Sequence, residues 1–86
     1  MEINEKLKHI VPSEKAALMI DSENKLQFIV DLRANKRQIK DEVESVFETS
    51  VRDVKTMITF KGKKKAIIKF EEEGKAKEIG TSLGIL

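Results

Sequence analysis

Between Val51 and Phe70 the sequence reads VRDVKTMITFKGKKKAIIKF, two runs of alternating apolar and polar residues around a lysine-rich turn. Because successive side chains of a strand point to opposite faces, this alternation predicts two strands, Val51–Phe60 and Lys65–Phe70, each with one buried face. Gly62, in the turn, can adopt the positive φ that a tight connection requires. We therefore expect an antiparallel hairpin. The apolar residues expected on its buried face are Val54, Ile58, Phe60, Ala66, Ile68 and Phe70, with Met57 on the other face.

The segments before the hairpin predict a strand and a helix. Residues 25–32 alternate in the same way, which predicts a strand. Residues 35–48 carry apolar side chains at helical spacing, so this segment is expected to be a helix. Asn35 and Gln38 make a capping-box signature at its start. The residues expected to be buried are Leu26, Phe28, Val30 and Leu32 in the strand and Ile39, Val43, Val46 and Phe47 in the helix.

Helices are also expected near both ends of the chain. Ser13 and Glu14 precede an apolar run at residues 16–20, and they suit the cap and the first turn of a helix. Residues 76–83 carry apolar side chains at i, i+3 and i+7, which predicts a short closing helix. The N-terminal segment is ambiguous, since it fits either a helical stripe or, at His9–Val11, an edge strand.

The element order is then (β)αβαββα within one domain, residues 1–86. A hairpin of long strands with helices around an antiparallel sheet is typical of the α+β class, and we expect a small α/β sandwich. If the strands flanking the second helix are parallel, their crossover should be right-handed. A chain of 86 residues is too short to form two cores.

Basic residues concentrate in two clusters of five positions, Arg33–Arg37 and Lys61–Lys65. Together they hold seven of the 17 Lys and Arg residues and none of the 15 Asp and Glu residues. The rest of the chain is therefore acidic, although the whole carries a net charge of +2. Since each phosphate that a cation neutralises releases condensed counterions, such clusters favour a polyanion-binding surface.

Catalysis, metal binding and membrane insertion find little support in the sequence. His9 is the only histidine and has no adjacent carboxylate to orient it, which favours a structural role. Residues Glu71–Glu73 precede a glycine, and we interpret them as a solvated helix entrance rather than a metal site. The chain has no cysteine and no apolar run near the ~20 residues of a membrane span. We expect no cofactor and no direct membrane insertion.

Any RNA is expected to be recognised through phosphate, sugar and shape. Trp and Tyr are absent and all four Phe residues fall on predicted core stripes, so base stacking on exposed aromatics is not expected. Lys36 and Arg37 lie in the first turn of a predicted helix, where the helix dipole disfavours cations. Together with Arg33 and free backbone amides, they could clamp a phosphate. Alternatively, these side chains extend into water, and the hairpin lysines only discourage edge pairing.

Several short motifs, in order along nearly the whole chain, match those of one known family. The matching residues are Ser13-Glu14-Lys15-Ala16, Asn24-Lys25-Leu26-Gln27-Phe28, Val30-Asp31, Arg33-Ala34-Asn35-Lys36, Val43–Phe47, Lys64-Lys65-Ala66 and Ser82–Leu86. In this order they resemble the archaeal branch of the large-subunit ribosomal protein twenty-three family. Two departures are Lys55, which precedes Thr56 where the family usually has Asn, and Val11, which precedes Pro12 where the family has the reverse order.

The resemblance implies an α/β sandwich that binds large-subunit ribosomal RNA beside the polypeptide exit tunnel. It also implies a docking surface for signal recognition particle and the translocon, with Glu14 at the position of the family's exposed glutamate. A cytoplasmic, ribosome-bound protein beside neighbouring ribosomal proteins is then expected. The long hairpin extension of bacterial members and the basic N-terminal extension of eukaryotic members are not found, which favours an archaeal-type protein.

Together these observations predict a structural RNA-binding protein of the large ribosomal subunit without enzymatic activity. One alternative is a free-standing protein-interaction module whose lysines only confer solubility. A further alternative is a small enzyme centred on His9 and an acidic residue. The predicted RNA-binding residues are Lys15, Asn24, Lys25, Arg33, Asn35, Lys36, Arg37, Lys55, Thr56, Lys61, Lys63, Lys64 and Lys65, and the predicted factor-docking residue is Glu14.

Overall fold

The computed structural model describes residues 6–11 and 13–84, and within them the elements follow the predicted order. They are β1 (His9–Ile10), α1 (Glu14–Glu23), β2 (Lys25–Val30), α2 (Lys36–Phe47), β3 (Val51–Ile58), β4 (Lys64–Phe70) and α3 (Lys75–Ser82). Of the two alternatives for the N-terminal segment, the edge strand is observed, because β1 pairs with β2. The helical alternative also involved residues 1–5, which lie outside the described residues, as do Pro12 and the last two residues of the C-terminal motif.

The strand β4 lies between β2 and β3 in a sheet of order β1-β2-β4-β3. Both neighbours run antiparallel to it, and Ala66 pairs with Phe28 on one side and with Thr56 on the other. Strands β2 and β3 are therefore parallel to each other, and α2 joins them with β4 in between. The hairpin predicted from residues 51–70 is present, and Gly62 in its turn has a φ of 77°.

A single core fills the space between the sheet and the helices. Each strand contributes only one of its two alternating sets of side chains to this core, while α1, α2 and α3 all contribute residues. The helices therefore cover one face of the sheet and leave most of the other face open. This arrangement is the α/β sandwich of the α+β class that the sequence predicted. The strand residues in the core are Ile10, Leu26, Phe28, Val30, Val51, Val54, Ala66, Ile68 and Phe70, and the helix residues are Ile20, Ile39, Val43, Ala76 and Ile79.

Side-chain caps fix the starts of the first two helices, as predicted. The Ser13 hydroxyl accepts a hydrogen bond from the Ala16 amide at 3.1 Å. At α2, Asn35 Oδ1 accepts from the Gln38 amide at 2.8 Å, and Gln38 Oε1 accepts from the Asn35 amide at 3.0 Å. Each cap satisfies backbone donors that have no partner inside the helix. The N-terminal ends of α1 and α2 are therefore determined by local sequence.

Four apolar residues predicted to be buried are exposed. Ile58 is 61% exposed and Phe60 is 96% exposed, because β3 ends at Ile58 and the alternation continues beyond the part of the face that the helices cover. Leu32 is exposed because β2 ends at Val30 and Leu32 lies in the turn toward α2. Val46 lies beside the stripe of α2 that packs on the sheet, and it too is exposed.

Gln27 shows the opposite deviation, since it is a polar residue that is only 4% exposed. Its position in β2 places it on the open face of the sheet. The side chain is covered at one end by α1, where Gln27 Nε2 lies 2.8 Å from Met19 Sδ. No buried side-chain nitrogen or oxygen in residues 6–11 and 13–84 lacks a hydrogen-bond partner. The burial of Gln27 is thus compatible with its polarity.

Candidate nucleic-acid interface

The two basic clusters of the sequence meet at one end of the sheet. Lys64 Nζ, at the start of β4, donates a hydrogen bond to the Ala34 carbonyl oxygen at 2.5 Å. Beside this contact lies a groove of about 360 Å³ between β1, the end of β2 and the turn before β4. We call it the basic groove. Its charged and titratable lining residues are Lys8, His9, Asp31, Arg33, Lys63 and Lys64.

The one carboxylate of this lining is paired with its one guanidinium. Asp31 Oδ2 lies 3.2 Å from Arg33 Nη2, and Asp31 Oδ1 accepts from the Arg33 amide at 2.8 Å and from Nε at 3.3 Å. Hydrogen bonding from the Arg33 side chain, and then from its amide, lowers the pKa of Asp31 to about 2. Asp31 therefore stays ionised and offsets Arg33, which leaves Lys8, Lys63 and Lys64 to give the groove its positive charge.

The structure separates Lys36 and Arg37 from the basic groove. They line a second trough of about 500 Å³ between α2 and β3, together with Lys40 and Arg52 and with acidic side chains that include Glu44. The capping box already uses the Gln38 amide. The predicted phosphate clamp of Arg33, Lys36 and Arg37 thus has Arg33 in the basic groove and Lys36 and Arg37 in the trough between α2 and β3. It stays a prediction.

The open face of the sheet carries lysines around a small apolar centre. In register across β2, β4 and β3 lie Gln27, Ile67 and Lys55, and beside them Ile29, Lys65 and Met57. Lys25 and Lys69 form the next row with Asp53. Three of the predicted RNA-binding lysines, at positions 25, 55 and 65, therefore share one face. Lys69 belongs to the same surface, and the alternation within β4 could have identified it.

Three of the predicted RNA-binding residues have side chains engaged within the fold. Asn24 Nδ2 donates to the carbonyl oxygens of Phe70 at 3.2 Å and Glu72 at 2.8 Å, and Asn24 Oδ1 accepts from the Ala76 amide at 3.0 Å. Asn35 caps α2. Thr56 is half-buried on the helix-covered face. By contrast, Lys15, Lys61 and Lys63 are exposed. Whether any of these residues touches RNA stays a prediction.

Basic and acidic side chains concentrate at opposite ends of the sheet. Because β2 and β3 are parallel and β4 is antiparallel, the ends of β2 and β3 meet the start of β4 at the basic groove. The other end of the sheet brings together the start of β2, the start of β3 and the end of β4, through the pairs Lys25–Lys69 and Val51–Phe70. The charged residues next to that end are the acidic Glu23, Glu48, Glu71, Glu72 and Glu73, which are partly offset by Lys25, Arg52, Lys69 and Lys75. We call the two ends the basic end and the acidic end.

The prediction that every phenylalanine lies in the core is wrong for Phe60. Phe28 and Phe70 are buried, and Phe47 packs on Phe28 with ring centroids 6.0 Å apart. Phe60 instead projects from the turn at the basic end, with Lys61 Nζ 5.9 Å from its ring centroid. The argument against base stacking on exposed aromatics therefore fails at this position.

Fold and surface together define a small α+β domain with a lysine-lined groove at one end of its sheet. Within the described residues, no group of three or more His, Cys, Asp or Glu could hold a metal ion, and no helix is long and apolar enough to cross a membrane. The sequence pattern of the family described as ribosomal protein L23 matches residues 5–80.

Curated relatives agree with this match. The chain is 42% identical to "Large ribosomal subunit protein uL23" of Methanococcus aeolicus over 85 residues, which cover 99% of each protein. It is 47% identical to the protein of the same name from Methanococcoides burtonii over 74 residues, which cover 86% of this chain and 89% of the relative. The chain belongs to the ribosomal protein L23 family, as its motifs predicted. It is therefore a structural component of the large ribosomal subunit in the cytoplasm, and not an enzyme. Neither a His9-centred enzyme nor a free-standing module fits this membership.

Proposed function

We propose that the protein binds large-subunit ribosomal RNA near the polypeptide exit tunnel, with its basic end toward the RNA. The observation that carries this proposal is that Arg33 of the first basic cluster and Lys63 and Lys64 of the second line one groove at one end of the sheet, opposite the acidic end. Lys8, Lys63 and Lys64 line one groove, and Lys61 projects beside it. Phosphate contacts fix the position and orientation of a protein on RNA, and the acidic end would turn away from the backbone.

The lysines of the basic end suit phosphates rather than base edges. An ammonium group is a compact point charge on a flexible stem and carries no planar donor pattern. In the groove the Asp31–Arg33 pair holds its arginine near a carboxylate, so the lysines contribute most of the attraction. We therefore expect strong salt dependence and recognition of RNA shape.

Charge reversal at matched lysines tests this proposal. Lys63→Glu places a negative charge in the basic groove, whereas Lys77→Glu makes the same charge change on exposed α3. Binding to large-subunit ribosomal RNA should weaken tenfold or more in Lys63→Glu. The slope of log K against log salt should fall by about 0.7–0.9 for one lost phosphate contact. Lys77→Glu should bind nearly as the unmodified chain does. Equal effects of the two changes would contradict RNA binding through the basic end.

We also propose that the start of α1 docks factors that meet the nascent chain, such as signal recognition particle or the translocon. Glu14 is the first residue of α1 and is exposed. Near it, a groove of about 370 Å³ between α1 and α3 has apolar walls that include the exposed Leu18, and Asp21 and Lys77 lie at its edge. Acidic groups beside an apolar groove can steer and hold a basic partner.

Incorporation and docking can be separated in one experiment on ribosomes. Glu14→Lys should lower the binding of a targeting factor to assembled ribosomes, while the amount of protein in the subunit stays the same. Glu73→Lys, at the acidic end, is the matched control for the change in charge. If Glu14→Lys instead prevents incorporation, Glu14 belongs to assembly and the docking proposal is wrong.

A further inference from the structure

The hydrogen-bonded turn between β3 and β4 presents an aromatic ring to solvent. The Thr59 amide donates to the Lys63 carbonyl oxygen at 2.7 Å, and the Gly62 amide donates to the Thr59 carbonyl oxygen at 2.9 Å. The Lys63 amide also donates to Thr59 Oγ1 at 3.2 Å. Phe60 lies inside this hydrogen-bonded turn and is 96% exposed. The backbone that presents the ring is therefore ordered by hydrogen bonds, and binding has to order only the exposed side chain.

The surroundings of the ring are basic and contain no acid. Between Thr59 and Lys65 the charged residues are all lysines. Lys61 Nζ lies over the Phe60 ring at 5.9 Å from its centroid, within the range of a cation–π contact. One ring face thus meets an ammonium group, and the other is left for a ligand. Leu32, another exposed apolar side chain, lines the adjacent basic groove.

This combination identifies the kind of partner. An exposed phenylalanine alone would fit either an apolar protein surface or a nucleobase. An apolar protein patch, however, gives the surrounding lysines no counter-charge, whereas a nucleotide offers a flat aromatic base and a phosphate together. Aromatic rings among lysines are the arrangement that proteins use for single-stranded nucleic acid, because every base has a face on which to stack. Paired bases in an RNA helix are not accessible in this way.

We propose that Phe60 stacks on an unpaired base of large-subunit ribosomal RNA, in a loop or bulge, while Lys61 and Lys63 contact the flanking phosphates. This inference rests on the proposed RNA binding and adds the class of nucleotide recognised. The hairpin turn would then bind a single-stranded segment of the RNA, whereas the basic groove is expected to contact the phosphate backbone.

Three substitutions of Phe60 separate stacking from other contacts. Phe60→Ala should weaken binding to large-subunit ribosomal RNA roughly 5- to 150-fold, which corresponds to about 1–3 kcal/mol at 1.4 kcal/mol per tenfold. Phe60→Leu keeps an apolar side chain without a flat ring and should bind about as weakly as Phe60→Ala. Phe60→Trp should keep the affinity. The chain has no other Trp, so the emission of this residue reports directly on the turn and should be quenched on RNA binding.

The outcomes distinguish this inference from the proposed function. Phe60→Ala removes no charge, so its salt slope should match that of the unmodified chain, whereas the slope of Lys63→Glu should fall. If Lys63→Glu weakens binding and Phe60→Ala does not, RNA binding stands and stacking is refuted. If Phe60→Leu binds as tightly as the unmodified chain, the contact needs only an apolar side chain and no flat ring, and stacking is again refuted. If the unmodified chain shows no salt-dependent RNA binding, both proposals fail. Unchanged melting temperatures would confirm that all variants are folded.

Discussion

Replacement of Asn24 tests whether this residue serves the fold or the RNA. Asn24 follows α1 with a φ of 55°, and its side chain makes three hydrogen bonds to residues that are 46 to 52 positions away. Asn24 Nδ2 donates to the carbonyl oxygens of Phe70 and Glu72, and Asn24 Oδ1 accepts from the Ala76 amide. The side chain therefore ties the junction of α1 and β2 to the segment between β4 and α3.

The expected loss of stability follows from these contacts. Each hydrogen bond contributes about 0.5–1.5 kcal/mol net, and alanine at a left-handed φ adds about 1 kcal/mol of strain. With three such bonds, Asn24→Ala should thus lower the free energy of unfolding by about 2.5–5.5 kcal/mol. A domain of 86 residues has roughly 4–13 kcal/mol in total, so the variant should be marginally stable.

Two further variants at this position sharpen the test. Asn24→Gly loses the same hydrogen bonds but has no Cβ to strain the left-handed backbone, so it should be destabilised less than Asn24→Ala. Asn24→Asp keeps an acceptor for the Ala76 amide but replaces the donor by an oxygen that faces two carbonyl groups, so it should also be unstable. Urea unfolding of the three variants measures these differences. If Asn24→Ala unfolds as the unmodified chain does and only its RNA affinity falls, the structural reasoning is refuted and Asn24 is an RNA contact.

Two more predictions follow from the charges at the basic end. Changing Lys36 and Arg37 together to Glu should raise the free energy of unfolding by about 0.5–1 kcal/mol, since cations oppose the helix dipole at this position. Thermal melts measure this change in stability. A simultaneous fall in RNA affinity would place the start of α2 on the RNA-binding surface, whereas unchanged affinity would show that the start of α2 does not contact RNA. The pKa of Asp31, lowered to about 2 by hydrogen bonds from Arg33, means that the pair stabilises the fold fully above the ordinary carboxyl pKa of 3.8 and ceases to do so as the pH falls through about 2. Acid titration of Asp31→Asn should lack this part of the pH dependence between about pH 4 and pH 2, and an unchanged acid profile would contradict it.

The local features of the fold could be predicted because their causes lie within a few residues of one another. The capping box of Asn35 and Gln38 spans three positions, and the positive φ of Gly62 follows from a turn of a few residues. The buried sets of β2 and β4 were also predicted almost fully, since alternation records which side chains share a face. Alternation does not indicate how far along a strand the helices cover that face. Ile58 and Phe60 continue the pattern past the helices, so they were predicted to be buried and are exposed.

The candidate site could be predicted only in part, because it depends on contacts between distant segments. The basic clusters in the sequence indicated Arg33 and Lys63 as site residues. The two lie together only because β4 is placed beside β2, and a local sequence pattern does not give this strand order. Lys8 was missed because it lies outside both basic clusters and reaches the groove only through the pairing of β1. The resemblance indicated Asn24 as an RNA contact, whereas its side-chain bonds to distant backbone groups could not be seen in a local pattern.

The net charge of +2 is a poor guide to what an RNA encounters, because the two ends of the domain act separately. The domain measures 29 × 25 × 20 Å, and the basic and acidic ends lie apart along the strands. At physiological ionic strength the Debye length is only about 8 Å, so charges at one end are largely screened from those at the other. In the RNA binding proposed above, an approaching phosphate backbone would therefore respond to the lysines of the basic groove and the turn. The acidic end would contribute mainly by disfavouring the reversed orientation. Segregated charge can in this way set both the attraction to RNA and the direction in which the open surfaces of the domain face, while the overall charge stays close to neutral.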